Sequence, residues 1–470
     1  MAKRYDLIII GNGAASFAAA IKATELSEGT ASILMVGIGP IGGTCVNVGC
    51  IPSKYLLEIS HSYFYSNKKK YQGLVLEKAK LDFKEVMEGL RNFVLSLRKT
   101  KYEDVLKAYP NIEYIEGKAK FISNNEIEVN GKNFSAENII IATGSRPSIP
   151  NIEGLNKVNF FTSNNIWEIN NLPSRIAIIG GGGAIGLEIG QAFQHFGSQV
   201  FVIEAMDRIV PQAEPELSKY LMNILEEEGM KFYLKARISR IEQKSGSKIL
   251  EVLTAKGKEF LEVDEILVAT GRNPNTEELR LDKANVVADK RGFIITNEMM
   301  QTSNPKIYAA GDCVSKRLML ETLAAREGVI AANNIFGIKS TIDYNHVPWV
   351  VFTNPQLASV GYLEHEFVNK FGSCVCNIVR FKDVPKALIM NEEGLIKIVA
   401  DPNSGKIVGL HVLGYMASEY IIEGALAIKL GLTINDIIDT VHAFPTLSES
   451  IKLAAQSFLR NISMMSCCVE

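Results

Sequence analysis

The apolar positions of this chain fall into short unbroken runs that stop at glycines. Residues 5–10 form such a run, followed by Gly11-Asn12-Gly13-Ala14-Ala15-Ser16, an alanine-rich stretch to Ala23 and a second apolar run over 32–36. Continuous apolar runs fit parallel strands covered on both faces, so the order predicted is strand, tight turn, helix, strand. The pattern recurs at 175–179, with Gly181-Gly182-Gly183-Ala184-Ile185-Gly186, a helical run to Phe196 and a strand over 199–204. Each unit reads as a dinucleotide-type βαβ. Two echoing segments close the units, Ile-Ile-Ile-Ala-Thr-Gly-Ser-Arg-Pro at 139–147 and Ile-Leu-Val-Ala-Thr-Gly-Arg-Asn-Pro at 266–274. Residues 93–106 read as a charged amphipathic helix, and Val129-Asn130-Gly131-Lys132 as a hairpin turn. From about residue 340 the pattern changes to short apolar strands (349–352, 394–399, 405–412) with helices at 417–430 and 447–459. The class expected is therefore α/β, two Rossmann-like dinucleotide-binding domains (1–148 with 272–340, and 149–271) followed by a C-terminal α+β domain (341–470).

Composition changes this picture little. The 470 residues, 47% hydrophobic and 22% charged with 37 glycines and 15 prolines, have room for about three domains of ordinary globular make-up. Lys plus Arg number 50 against 52 Asp plus Glu, which gives no basic footprint for a nucleic acid. The apolar start is interrupted by Asp6, Asn12 and glycines, and 176–193 carries four successive glycines and Glu188. Neither suits a secretion signal or a spanning helix, so no membrane partner and a cytoplasmic location are expected. Seven cysteines in a chain this long are no secreted disulfide framework. They point to redox or metal chemistry.

In both βαβ units glycines let the backbone approach a pyrophosphate, and the helix N-terminus offers free N–H groups to it. Gly11 and Gly13 serve the first unit, where Ser16 takes the third glycine's place and Gly37, not an acid, ends the second strand. The second unit is complete, with Gly181, Gly183 and Gly186, and Glu204 at a strand end where a carboxylate binds a ribose 2′-hydroxyl. Between them, Cys45 and Cys50 in Gly42-Gly43-Thr44-Cys45-Val46-Asn47-Val48-Gly49-Cys50-Ile51-Pro52 precede a helix whose N-terminus stabilises thiolates. The alternatives are two small core residues or half an iron–sulfur site; cysteines with cluster spacing do not follow. A redox pair is preferred.

Together with Ala309-Ala310-Gly311-Asp312, these motifs resemble the FAD-dependent pyridine nucleotide-disulfide oxidoreductases over essentially the whole chain. The resemblance implies an FAD-binding domain (1–148 and 272–340), an NAD(P)-binding domain (149–271) and an interface domain, in a homodimer. It implies Asp312 on the FAD ribityl chain, with Gly43, Thr44, Thr143 and Gly144 at FAD and Gly271 among the nucleotide-binding positions. Lys54 would lie near flavin N5 paired with Glu188, Cys50 would face the flavin, and Cys45 the substrate.

Disulfide reductases of the family carry His-Pro-Thr and then Glu, the histidine acting as acid/base for a thiol leaving group. Here Phe444 stands at that position. His442 is expected to be a packed or surface residue, Glu449 to complete a capping box from Thr446, and Cys313, Cys374 and Cys376 to pack. The chain ends Cys467-Cys468-Val469-Glu470, an adjacent thiol pair similar to the ending of mercuric reductases and suited to a thiophilic ion. Implied in turn is Hg(II) as substrate, bound by Cys45, Cys50, Cys467 and Cys468 and reduced by NAD(P)H, with Glu204 favouring NADH over NADPH. The small metal-binding domain often prepended in the family is expected to be absent, since the first strand begins at residue 5. The rival expectations are a lipoamide- or thioredoxin-reducing enzyme, and a flavoprotein that sequesters metal without turnover.

Overall fold

The computed structural model describes residues 3–68, 71–75, 77–315 and 318–466. The first apolar run is a strand, Lys3–Ile10, parallel to Ile33–Gly37 on one side and to Lys132–Ile141 on the other. Ile33–Gly37 in turn pairs with Ile112–Glu116. Strand Lys132–Ile141 has two partners on its far edge. Its first half is in an antiparallel hairpin with Glu126–Val129, turned at Asn130 and Gly131, both with positive φ. Its second half is parallel to Ile307–Ala309, so the chain returns to this sheet after leaving it.

The second run builds a parallel sheet in the order Lys231–Tyr233, Gln199–Ile203, Arg175–Ile179, Glu265–Val268, Phe161–Thr162. An antiparallel layer of three strands, Arg237–Lys244, Ser247–Thr254 and Gly257–Val263, accompanies it. The two echoing segments meet: Arg272–Pro274 pairs antiparallel with Ser145–Pro147, joining the ends of the two units. The C-terminal part is a five-stranded antiparallel sheet, Trp349–Val351, Gln356–Gly361, Ile407–Gly414, Leu395–Ala400 and Val375–Arg380.

Helix Ala14–Leu26, which follows the first glycine turn, crosses Glu321–Ile335 at very short range. A Cβ on Gly328 would lie 2.2 Å from the Ala15 carbonyl oxygen, so glycine is required there. The amphipathic helix expected at 93–106 lies earlier, at Phe83–Arg98. Asp82 caps it by accepting the Glu85 N–H at 3.0 Å, and its buried stripe is Phe83, Met87, Leu90 and Val94. The last helix is shorter than expected, Glu449–Gln456, whereas Ala417–Leu430 matches. No helix among the described residues is long and apolar enough to cross a membrane.

Candidate active site

A glycine break puts the two cysteines together. Cys45 is in the short helix Gly43–Val48 and Cys50 starts the longer helix Cys50–Ser66, with Gly49 between. Any side chain at Gly49 would press on the Thr44 oxygen at 2.9 Å and the Cys45 Cα at 3.2 Å. The close turn is therefore possible only with glycine. Both cysteines are thiols, Cys45 half-buried and Cys50 exposed, in hydrogen-bond contact. The Cys45 S–H stabilises a thiolate on Cys50, Lys54 adds to this, and together they lower the Cys50 pKa against the desolvation that surrounding protein imposes on its sulfur even though the residue as a whole is exposed. Cys45 is correspondingly pushed up, first by that hydrogen bond and then by burial. The arrangement thus favours ionisation of Cys50 over that of Cys45. Glu321, first residue of its helix, opposes ionisation of both thiols; nothing in its sequence surroundings marked it.

Lys54 and Glu188 are an ion pair, Nζ to Oε2 at 2.7 Å, although 134 positions separate them. Glu188 is buried, and its other oxygen accepts the Phe352 N–H at 2.9 Å. Lys54 also lies over the Phe352 ring, 4.3 Å from its centre. The carboxylate therefore fixes the ammonium beside the redox helix and ties that helix to the second unit and the C-terminal part.

A cavity of 670 Å³ is lined by Gly11, Gly13, Gly43, Thr44, Thr143, Gly144 and Ser145 among others. The walls are bare backbone by necessity. A Cβ on Gly11 would fall 2.1 Å from the Ala142 oxygen, and one on Gly43 2.7 Å from the Gly13 Cα. Ser16 Oγ and Thr143 Oγ1 are buried with no partner among the described residues. Such a slot, with hydroxyls and helix-start N–H groups left to be satisfied, fits a dinucleotide with its pyrophosphate. Asp312 is fixed at its edge by a chain absent from the sequence reading. Ser145 Oγ donates to Asp312 Oδ2 at 3.0 Å, and Arg272 donates to Ser145 Oγ and its carbonyl, both at 2.7 Å. Fully buried Glu327 accepts the Gly311 N–H at 2.7 Å and the Tyr344 hydroxyl at 3.0 Å. It holds the turn that carries Asp312.

The second fingerprint is built equally tightly. A Cβ on Gly186 would fall 2.4 Å from the Gly181 Cα and one on Gly181 2.8 Å from the Ile178 side chain, while Gly183 faces open space at the helix start. Glu204 accepts the N–H groups of Gly182 at 3.0 Å and Met206 at 2.9 Å. Gly271 turns the chain with φ +101° between the second sheet and the paired echo segments.

Phe444 is 53% exposed. His442 does not replace the missing imidazole: Nε2 is 2.9 Å from Glu423 Oε1 and Nδ1 3.0 Å from the Thr440 oxygen, so both ring nitrogens are engaged. Glu423 raises its pKa, with burial opposing. The stabilisation from this pair is complete below the unfolded histidine pKa near 6.5 and is lost as pH rises through the folded value. Hence His442→Gln is expected to lower stability by up to about 1 kcal/mol at pH 6 and by less at pH 9; melting temperatures across that range check it. The capping box at Thr446 is only half made. Thr446 Oγ1 accepts the Glu449 N–H at 3.3 Å, but Glu449 Oε2 is buried without a partner among the described residues. Cys313 is buried against the Ile141 and Ala310 carbonyls, as packing requires. Cys374 and Cys376 are not buried but half-exposed beside Glu364. Cys467 and Cys468 lie outside the described residues.

With two glycine-lined nucleotide folds converging on a dithiol, the chain belongs to the pyridine nucleotide-disulphide oxidoreductases: residues 5–328 match that family's model and residues 347–455 its dimerisation domain. It is thus a flavoprotein disulfide oxidoreductase with FAD as cofactor, NAD(P)H as electron donor and a dimerisation domain that supports a homodimer. Among its relatives, a mercuric reductase of Lysinibacillus sphaericus is 38% identical over 99% of this chain and 84% of its own length. A dihydrolipoyl dehydrogenase of Thermus scotoductus is 37% identical over 97% of each. Among solved structures, the HOCl-induced flavoprotein disulfide reductase RclA of Escherichia coli superposes with a TM-score of 0.85 at 25% identity, covering 97% of this chain and all of that one.

Proposed function

We propose that the chain reduces Hg(II) to Hg(0) at the expense of NAD(P)H. The observation that carries this reading is Phe444. A ring that cannot move a proton occupies the position where the family's disulfide reductases present their acid/base, and His442 is engaged elsewhere. A metal ion held by thiolates has no thiol leaving group to protonate. Mercuric reductases matching 99% of the chain support the same substrate.

In this reading Gly11, Gly13, Ser16, Gly43, Thr44, Thr143, Gly144 and Asp312 hold FAD in the domain of residues 1–148 and 272–340. Gly181, Gly183, Gly186, Glu204 and Gly271 hold the nicotinamide nucleotide in residues 149–271. FAD, when bound, supplies the relay between a two-electron hydride donor and the thiol pair. Lys54, fixed by Glu188, stands beside that relay and, after the Cys45 hydrogen bond, favours the ionised form of Cys50. Cys45 and Cys50 bind Hg(II) as two thiolates, releasing to water whatever thiol protons they carry. The net reaction consumes NAD(P)H and Hg(II) and yields NAD(P)⁺, Hg(0) and a proton. The test is nicotinamide oxidation by the holoenzyme with Hg(II), oxidised lipoamide and oxidised thioredoxin in parallel; Hg(II) is expected to be the efficient oxidant. Dihydrolipoyl dehydrogenases of similar identity make lipoamide reduction the second reading, and dominant lipoamide turnover would establish it.

Glu204 gives NADH the advantage. Its carboxylate is held by two backbone N–H groups, and like unit charges about 4 Å apart repel by about 4 kcal/mol at an effective dielectric near 20. Arg208 is turned away to the Pro211 carbonyl at 2.7 Å and does little to neutralise a 2′-phosphate. Comparison of kcat/KM for the two nucleotides checks this, and an NADPH preference would refute the assignment of Glu204.

Cys467 and Cys468 deliver Hg(II) to Cys45 and Cys50 of the partner subunit. A short tether gives an effective concentration up to millimolar, so the ion passes between thiolates without release. Cys467→Ala with Cys468→Ala is expected to slow turnover of thiol-bound Hg(II) more than that of weakly complexed Hg(II). Equal rates for the variant and the parent with both forms of Hg(II) would make the tail incidental.

A further inference from the structure

Helix Glu364–Phe371 ends at Gly372, and the chain turns directly into Val375–Arg380, the edge strand of the C-terminal sheet. Cys374 and Cys376, two positions apart, present their sulfurs on one side of this strand, back towards the helix start. The two Sγ atoms and a Glu364 carboxylate oxygen all lie within 4.8 Å of one another. All three residues are half-buried, so solvent reaches them while their backbone is anchored. The Cys376 thiol is in hydrogen-bond contact with the Glu364 carboxylate. A proton therefore already stands where a cation would be held between sulfur and oxygen.

The surroundings favour positive charge. Lys397, buried on the adjoining strand, is the ammonium shared by Glu364 at 2.6 Å, Glu214 at 3.0 Å and Glu216 at 3.0 Å, three carboxylates against one cation. The lysine occupies that carboxylate cluster, and the Cys376 thiol is the further group in contact with Glu364. Ligands at about 2.3 Å from a tetrahedral ion lie about 3.8 Å apart, inside the 4.8 Å within which these three atoms already stand.

We infer that Cys374, Cys376 and Glu364 form a second metal site, separate from Cys45 and Cys50, that takes a thiophilic divalent cation of the Zn(II), Cd(II) and Hg(II) class. Binding exchanges the two thiol protons for the ion; two sulfurs and one oxygen coordinate it, and water completes the tetrahedron. No electrons move, so the site stores or buffers metal and does not reduce it. This inference does not rest on the mercury reading of the first site.

The test uses FAD-loaded protein carrying Cys45→Ser, Cys50→Ser, Cys467→Ser and Cys468→Ser, reduced and desalted, so that Cys374, Cys376 and the buried Cys313 are the remaining thiols. Equilibrium dialysis against micromolar Cd(II), with the ultraviolet sulfur-to-metal absorbance recorded, is expected to give one Cd(II) per chain with that band. Adding Cys374→Ser and Cys376→Ser is expected to remove both. Glu364→Gln is expected to keep the band and weaken binding about tenfold. Absence of the band although two accessible thiols titrate, failure of those thiols to titrate, or undiminished Cd(II) after their replacement would each overturn the site.

Discussion

Cys50→Ala is expected to lower Hg(II)-dependent NAD(P)H oxidation by about 10³-fold or more while the protein keeps its FAD. Cys50 is the member of the pair whose ionisation its neighbours favour, and loss of one member of a cooperating catalytic set removes most of what the set achieves together. Cys45→Ala is expected to be as damaging for turnover, because a single thiolate no longer holds the ion between two sulfurs. The two variants separate in thiol chemistry. In the reduced parent, alkylation by iodoacetamide is expected to reach Cys50 at lower pH than Cys45, because Cys45 and Lys54 depress the one and the same hydrogen bond raises the other. Near-parental turnover by Cys50→Ala would mean that electrons reach the metal by another route.

Phe444→His is expected to raise turnover of oxidised lipoamide by about 10²-fold or more, the lower end of what a placed proton donor contributes. In the unaltered protein that turnover is expected to be slower than Hg(II) reduction by a comparable factor. The introduced imidazole would have Glu449 close in the chain, whose buried Oε2 has no partner among the described residues and whose pKa burial raises. Steady-state rates with both oxidants decide the matter. Efficient lipoamide turnover by the unaltered protein would refute the role given to Phe444, and an unchanged rate in the variant would refute the placement of the position.

The elements that place the site were largely readable from the chain because their signals are local. Strands covered on both faces read as unbroken apolar runs, and the turns after them need bare backbone, so Gly11, Gly13, Gly181 and Gly186 stand out. The helix Phe83–Arg98 starts ten residues before the expected 93 and ends eight before the expected 106, although Asp82 and the Phe83, Met87, Leu90, Val94 stripe mark its true start; the charged stretch beyond it, which continues as irregular helical turns, fits the amphipathic pattern as well. The supports of Asp312 were not readable. Arg272 and Ser145 meet across 127 positions, and Glu327 reaches Gly311 from the inner face of a helix. Periodicity says that such a residue is buried but not what it meets. The Cys374–Cys376 pair carried the opposite error: a strand's period puts both on one face and suggests packing, but this strand is at an edge and that face meets a carboxylate.

Beside the hydrogen bond from the Gly42 N–H to the Asn12 oxygen at 2.9 Å, a bare backbone contact links the thiols to the nucleotide slot. Gly43 begins the helix of Cys45 with its bare Cα against Gly13, at φ +68°, where a Cβ would come within 2.7 Å of the Gly13 Cα; the reverse substitution would meet Gly43 at an ordinary 3.6 Å. The tolerance is one-sided, so the two positions have unequal evolutionary freedom. An alanine at Gly13 would leave the two loops in place and disturb only the approach of a pyrophosphate, while any step at Gly43 displaces the redox helix and the floor of the slot together. A lineage could therefore exchange its oxidant by changing the far rim of the cleft many times over, yet have no single-residue path that re-spaces the dithiol relative to the cofactor.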